Sequence, residues 1–96
     1  MKVEYTKLAL ADLRNIATDS RKYSDIVAAA VEARISRVVA HISKHPEAAA
    51  PVGERPGMRV IPLIRYPFKI FYRVLEDRVR ILHIRHTARR PWTKER

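Results

Sequence analysis

The residues of this 96-residue chain that could do chemistry are concentrated in its second half. His83 and His86 lie three apart, and Arg59, Lys69, Arg73, Arg85 and Arg89 flank them along the sequence. Imidazole titrates near neutral pH and so can act as general base or acid. Guanidinium and ammonium groups hold phosphate or carboxylate and stabilise developing negative charge. These residue types suit the handling of a phosphodiester or the capture of an acidic partner. Three-residue spacing on a strand puts the two histidines on opposite faces, which makes them a poor metal pair, and the sequence offers no third ligand nearby. A structural or partner-contacting role is sufficient for each histidine taken alone. His41 and His45, four apart at the end of a helical stretch, are explained by complementing the helix dipole. For any one arginine a solvated outer face is explanation enough, but the cluster is harder to dismiss.

Several other chemistries are excluded. The only glycines are Gly53 and Gly57, so there is no glycine-rich phosphate loop. The chain has no cysteine, which rules out a disulfide scaffold and thiolate metal sites. Metalloprotease, EF-hand, zinc-finger and nucleophile-elbow patterns are missing. Glu76-Asp77 falls where a turn is expected and reads as turn chemistry. No cofactor and no metal are expected.

Charge narrows the partner. Residues 51–96 carry 12 Lys/Arg against 4 Asp/Glu, whereas residues 1–50 carry 8 against 6. The second half thus holds +8 of the net +10, and a basic half this concentrated implies an anionic partner. Nucleic acid, an acidic protein segment and a membrane surface all qualify. The N-terminus has no apolar core of a signal peptide, and charges interrupt every apolar run before a membrane-spanning length, so a soluble cytoplasmic protein is expected.

Hydropathy then gives the elements that must position these groups. Lys2 to Tyr5 reads as a short strand. Thr6 fits a helix N-cap for a helix from Lys7 to about Asp19, with Leu10, Leu13 and Ile16 or Ala17 on its apolar stripe and Leu8 adding area near its start. Ser24 caps a second helix, on which Ala28, Val31, Ile35, Val38 and Ile42 recur at helical spacing until Pro46 ends it. A Pro/Gly-rich loop follows from Pro51 to Gly57. Met58 to Leu63 is a weak strand, because Pro62 marks it as an edge. In the next strand Phe68, Ile70, Tyr72 and Val74 alternate with Lys69, Phe71 and Arg73. The last strand, Arg78 to Arg85, is apolar on both faces, as a central strand would be. The reading is α+β, in the order β-α-α-β-β-β, with a helical hairpin packed on one face of a small antiparallel sheet. Residues 1–92 are expected to form one domain and residues 93–96 a frayed basic tail.

The stretch Arg59-Val60-Ile61-Pro62-Leu63-Ile64-Arg65-Tyr66-Pro67-Phe68-Lys69-Ile70-Phe71-Tyr72-Arg73-Val74 resembles the signature of RelE/ParE toxins: an arginine opening one strand, a small loop, then a strand of the form aromatic–basic–aliphatic–x-Tyr-Arg. Val79-x-Ile81-Leu82-x-Ile84-x-His86-x-x-Arg89-x-Pro91-Trp92 resembles the family's closing strand and ending. The resemblance covers essentially the whole chain. It implies the toxin of a type II toxin–antitoxin system, neutralised in a hetero-oligomer by a small cognate antitoxin with an acidic, partly disordered segment.

The superfamily divides by target. RelE-like members cut mRNA in the ribosome, and that reading would make this chain a metal-independent endoribonuclease using Arg59, Lys69, Arg73, His83 and His86. ParE-like members inhibit DNA gyrase and arrest growth. On that reading Arg59, Lys69, Arg73, Arg85, His86, Arg89 and Trp92 contact target or antitoxin, and the protein need not be an enzyme. Ile61 or Pro62 stands where the ribonucleases place a second basic residue. The ending His86-Thr87-Ala88-Arg89-Arg90-Pro91-Trp92 is more similar to the ParE-like one. The third possibility is a non-toxic nucleic-acid-binding domain.

Overall fold

A computed structural model describes residues 1–53 and 55–87. Its elements are β1 (Lys2–Tyr5), α1 (Lys7–Arg21), α2 (Asp25–Lys44), β2 (Ala50–Pro51), β3 (Met58–Pro62), β4 (Phe68–Val74) and β5 (Arg78–His86). The expected order holds, with the two-residue strand β2 added where the Pro/Gly-rich segment begins. The strands form one sheet in the order β1-β5-β4-β3-β2. Pairing is antiparallel except between β1 and β5, which run parallel with Lys2 opposite Arg78 and Tyr5 opposite Ile81. The helical hairpin lies between β1 and the meander and supplies the crossover that a parallel pair needs.

Both helices start where the cap chemistry places them. The Thr6 hydroxyl accepts from the Ala9 N–H at 3.0 Å, and the Ser24 hydroxyl accepts from the Val27 N–H at 3.0 Å. His45, held before Pro46, leaves the helical region at φ −133°, ψ 68° and ends α2. The buried line of α1 is Ala9, Ile16 and Ser20, with Leu13 half-buried between them; Leu8 and Leu10 are 46% and 43% exposed. The stripe is therefore turned by about one residue from the one read in the sequence. The entry to the helix explains the turn: the Thr6 N–H donates to the Ile81 carbonyl and the Thr6 hydroxyl to the Leu82 carbonyl, so α1 starts clamped to β5. On α2, Val31, Ile35, Val39 and Ile42 are buried, while Ala28 and Val38 are half-buried.

The core lies between the hairpin and one sheet face. Ile70 and Tyr72 of β4 and Val79, Ile81 and Ile84 of β5 meet the apolar lines of both helices. The apolar run of β5 has two causes. β5 sits between β1 and β4, as expected of a central strand. In addition a β-bulge changes its parity: Phe71 pairs with His83 but Tyr72 pairs with Ile81, leaving Leu82 unopposed. Val79, Ile81 and Ile84 consequently share the helix-facing side.

The Tyr72 hydroxyl donates to the Pro46 carbonyl at 2.7 Å, tying β4 to the end of α2. Tyr72→Phe leaves that carbonyl unmatched and is expected to lower unfolding free energy by about 1–3 kcal/mol in chemical denaturation. Burial pushes the Tyr72 phenol above its ordinary pKa of 10.0. Its neutral form is thus favoured in the folded state, and the stability it contributes is present below pH 10 and lost as pH rises through the shifted value. The alkaline loss of stability should be shallower in Tyr72→Phe than in the parent.

Candidate functional site

Register assigns each candidate residue to a face. On the side away from the helices, β4 and β5 place Lys69 opposite Arg85, Phe71 opposite His83 and Arg73 opposite Arg80. On the helix-facing side Phe68 lies opposite His86, with the rings edge to face at 5.4 Å. Arg59 pairs with Tyr72 on one side and Pro51 of β2 on the other, and so also lies on the helix-facing side. His83 and His86 do fall on opposite faces. The set Arg59, Lys69, Arg73, His83 and His86 is therefore not gathered: Lys69, Arg73 and His83 occupy the open face, and Arg59 and His86 the other. Arg89 and Trp92, together with the tail of residues 93–96, lie outside the described residues.

Several of the cations already have structural partners. Arg59 Nη1 donates to the Ala49 carbonyl at 2.7 Å and the Glu47 carbonyl at 3.2 Å, and Arg73 Nη1 donates to the Pro56 carbonyl at 3.0 Å. These two arginines hold the segment between α2 and β3 from its two sides. Arg78 and Arg80 clasp Glu4, each at 2.8 Å, and Arg78 also pairs with Asp77 at 3.0 Å. The hydrogen bond from Arg78, backed by that from Arg80, holds the Glu4 carboxyl below the usual carboxylate range. The Arg78 guanidinium is pushed upward in turn, by Asp77 first and Glu4 second.

Asp12 is a site residue that the sequence reading missed. Its Oδ2 accepts from the Ile84 N–H at 2.8 Å and meets His83 Nδ1 at 2.6 Å. With an ionised carboxylate in this contact, the imidazole carries its proton on Nδ1. The carboxylate thus caps the β5 edge beyond the end of β1 and fixes the His83 ring beside Phe71, at 6.5 Å between centroids. The available signal was an acid three residues after Ala9 and four before Ile16, on the buried line of α1.

Two further features stand out. A groove of about 770 Å³ opens between the hairpin tip and the ends of β4 and β5, lined by Ile16, Tyr23, Val27, Tyr66, Phe68 and His86 among others. The β3–β4 loop carries Arg65 at φ 83°, a left-handed conformation costing a non-glycine residue about 1–2 kcal/mol. Among the described residues there is no cluster of metal-ligating side chains, and no helix is long and apolar enough to cross a membrane.

A family model described as the ParE toxin of type II toxin–antitoxin system, parDE, matches residues 3–91. The chain belongs to this ParE toxin family. The structure of a chromosomal ParDE toxin–antitoxin system from P. aeruginosa is similar with a TM-score of 0.79 and 27% identity, over 92% of this chain and 97% of that one. The isolated E. coli RelE toxin shares the fold at a TM-score of 0.66 and 15% identity, over 93% of this chain and 86% of that one. A chain of the intact E. coli RelBE toxin–antitoxin complex does so at 0.64 and 16%, over 93% of this chain and 98% of that one. No curated protein sequence matches the chain. The helical hairpin on a sheet is thus common to this chain and to the similar ParDE, RelE and RelBE structures.

If Arg59 is a structural clamp in this ParE chain, Arg59→Ala should lower stability by about 1–3 kcal/mol, while Lys69→Ala should stay within about 0.5 kcal/mol of the parent. Equal thermal midpoints for the two variants would remove the distinction. Because the Glu4 pKa is depressed in the folded state, its contribution is present above the ordinary carboxylate pKa and lost as pH falls through the depressed value. Glu4→Gln should flatten the acid limb of the stability profile.

Proposed function

We propose that this ParE-family chain is the toxin of a toxin–antitoxin pair, that it acts in the cytoplasm, and that once released it arrests growth by inhibiting DNA gyrase through binding. The observation that carries this reading is the division of the candidate ribonuclease residues. A phosphodiester site needs its base and its cations converging within hydrogen-bond reach of one phosphate. Here Arg59 and His86 lie across the sheet from Lys69, Arg73 and His83, and Arg59 and Arg73 are bound to loop carbonyls. Such a surface suits docking better than proton transfer.

The partner is a small antitoxin with an acidic, partly disordered segment, forming a hetero-oligomer with the toxin. It is supported by the +8 half of the chain and by the toxin–antitoxin assemblies named for the similar structures. An apolar stretch of the antitoxin would enter the groove at the hairpin tip, and its acids would meet Lys69 and Arg85; Arg89 and Trp92 are proposed to take part in the same contact.

Purified full-length chain should inhibit DNA supercoiling by gyrase, and addition of antitoxin should relieve it. Growth arrest in an antitoxin-free host should proceed with intact mRNA and a DNA-damage response. Codon-phased mRNA ends appearing within minutes of induction would replace this reading with ribosome-dependent cleavage. Antitoxin affinity should weaken as salt rises, because charge dominates the encounter.

A further inference from the structure

Three departures from the most stable arrangement converge on one end of the sheet. The first is backbone strain. Arg65 holds φ 83° in the loop joining β3 to β4, a conformation that glycine or asparagine adopts more easily. The second is apolar exposure. Ile64, next to it, is 69% exposed, although the flanking Leu63 is buried and shows that the loop can hide an aliphatic side chain. The third is electrostatic. Lys69 and Arg85 stand directly opposite each other on β4 and β5, a like-charged cross-strand pair, and neither has an ion-pair partner among the described residues.

The contrast with the other end of the open face sharpens the point. There Arg78 and Arg80 are compensated by Glu4 and Asp77, and Arg73 is bound to a carbonyl. The loop end lacks such compensation. Pro62 opposite Lys69 at the end of β3, with Phe68 opposite His86 at the ends of β4 and β5, puts the Ile64-Arg65 tip and the Lys69–Arg85 pair at the same end. Local conflicts retained against stability are expected where a surface has a task other than folding.

We propose that Ile64, Arg65, Lys69 and Arg85 form the surface by which the free toxin grips its target protein. The inference rests on the toxin reading above and names the residues that act in it. The partner chemistry follows from the side chains: an acidic surface with an apolar recess for one aliphatic side chain. An exposed isoleucine at a loop tip suits such a recess, whereas nucleic-acid sites rely on aromatic stacking and phosphate contacts. The strain and the like-charge repulsion are borne by the uncomplexed toxin, which is the form that meets the target. The antitoxin is anchored in the apolar groove of the hairpin tip, on the helix-facing side; it shares Lys69 and Arg85 with the target but leaves the Ile64 tip to it.

The test uses the full chain and two surface variants, Ile64→Ser and the double variant Lys69→Gln/Arg85→Gln, each induced without antitoxin and also purified. Growth arrest and gyrase inhibition should weaken at least tenfold in both variants. The thermal midpoint should not fall, and the double variant should gain from relief of repulsion. Antitoxin affinity of Ile64→Ser should stay within twofold of the parent. Arg65→Asn guards against a folding artefact: it should raise the midpoint by about 4 °C through relief of strain. Growth arrest equal to the parent in both surface variants overturns the inference. So does a loss of antitoxin binding by Ile64→Ser that matches its loss of toxicity, because the tip then belongs to the antitoxin. Weaker binding of a single-stranded oligonucleotide by the double variant with undiminished growth arrest overturns it as well, in favour of a nucleic-acid surface. The reading beneath it is judged separately, on the parent alone: growth arrest without gyrase inhibition would change the target and leave the surface standing if the variants lose their arrest.

Discussion

The arrangement of this chain depends on how β5 is satisfied along its β1 edge. Four residues of β1 pair with it, and then β1 ends. The Thr6 N–H and hydroxyl take over at Ile81 and Leu82, and Asp12, six residues further along α1, accepts the Ile84 N–H. Backbone polar groups left unmatched here would each cost about 1–3 kcal/mol. Matching them fixes the start, phase and tilt of α1 together. Ala9 then faces the sheet at 0% exposure, where its small side chain lets the helix lie close, and α2 follows as the antiparallel partner. The covered face, the open face and the groove at the hairpin tip all follow from that one edge.

Much of this was legible from local rules. Both N-caps, the proline stop after α2, the alternation in β4 and the turn at Glu76-Asp77 are each decided within a few residues, and the helix-after-strand order follows from them. The illegible parts depend on contacts distant in sequence. Nothing near Leu82 announces a bulge, because the bulge is a relation between β5 and β4. The rotation of the α1 stripe away from Leu8 and Leu10 is set by Ile81 and Leu82, and so is the role of Asp12. Arg59 and Arg73 read as one cationic surface in sequence. They belong to opposite faces because β3 pairs with β4 in a register that no local pattern dictates. The resemblance to RelE/ParE toxins carried the family correctly, since it rests on the order of elements and on strand motifs, but it could not say which basic residues share a face.

The arginines show what a chain with 20 basic and 10 acidic residues does for internal partners. Carboxylates are scarce, so Arg59 and Arg73 turn to the backbone carbonyls of Glu47, Ala49 and Pro56. The segment between α2 and β3, nearly devoid of regular structure, is held in place by side chains of the sheet. Basicity in this fold has two roles, as internal fastening at one end of the sheet and as uncompensated surface charge at the other.

The parallel pairing of β1 with β5 joins residues separated by 76 positions, as in the clasp of Glu4 on Arg80. Contacts this distant in sequence form late, after loop closure across nearly the whole chain. During synthesis on the ribosome, β1 and the hairpin emerge long before the strand that completes them. A nascent chain halted before Arg78 lacks the strand that β1, Thr6 and Asp12 are built to meet, and its core has no floor. A message broken before the codon for Arg78 therefore yields a chain that cannot close this sheet, and the fold appears all at once when β5 arrives.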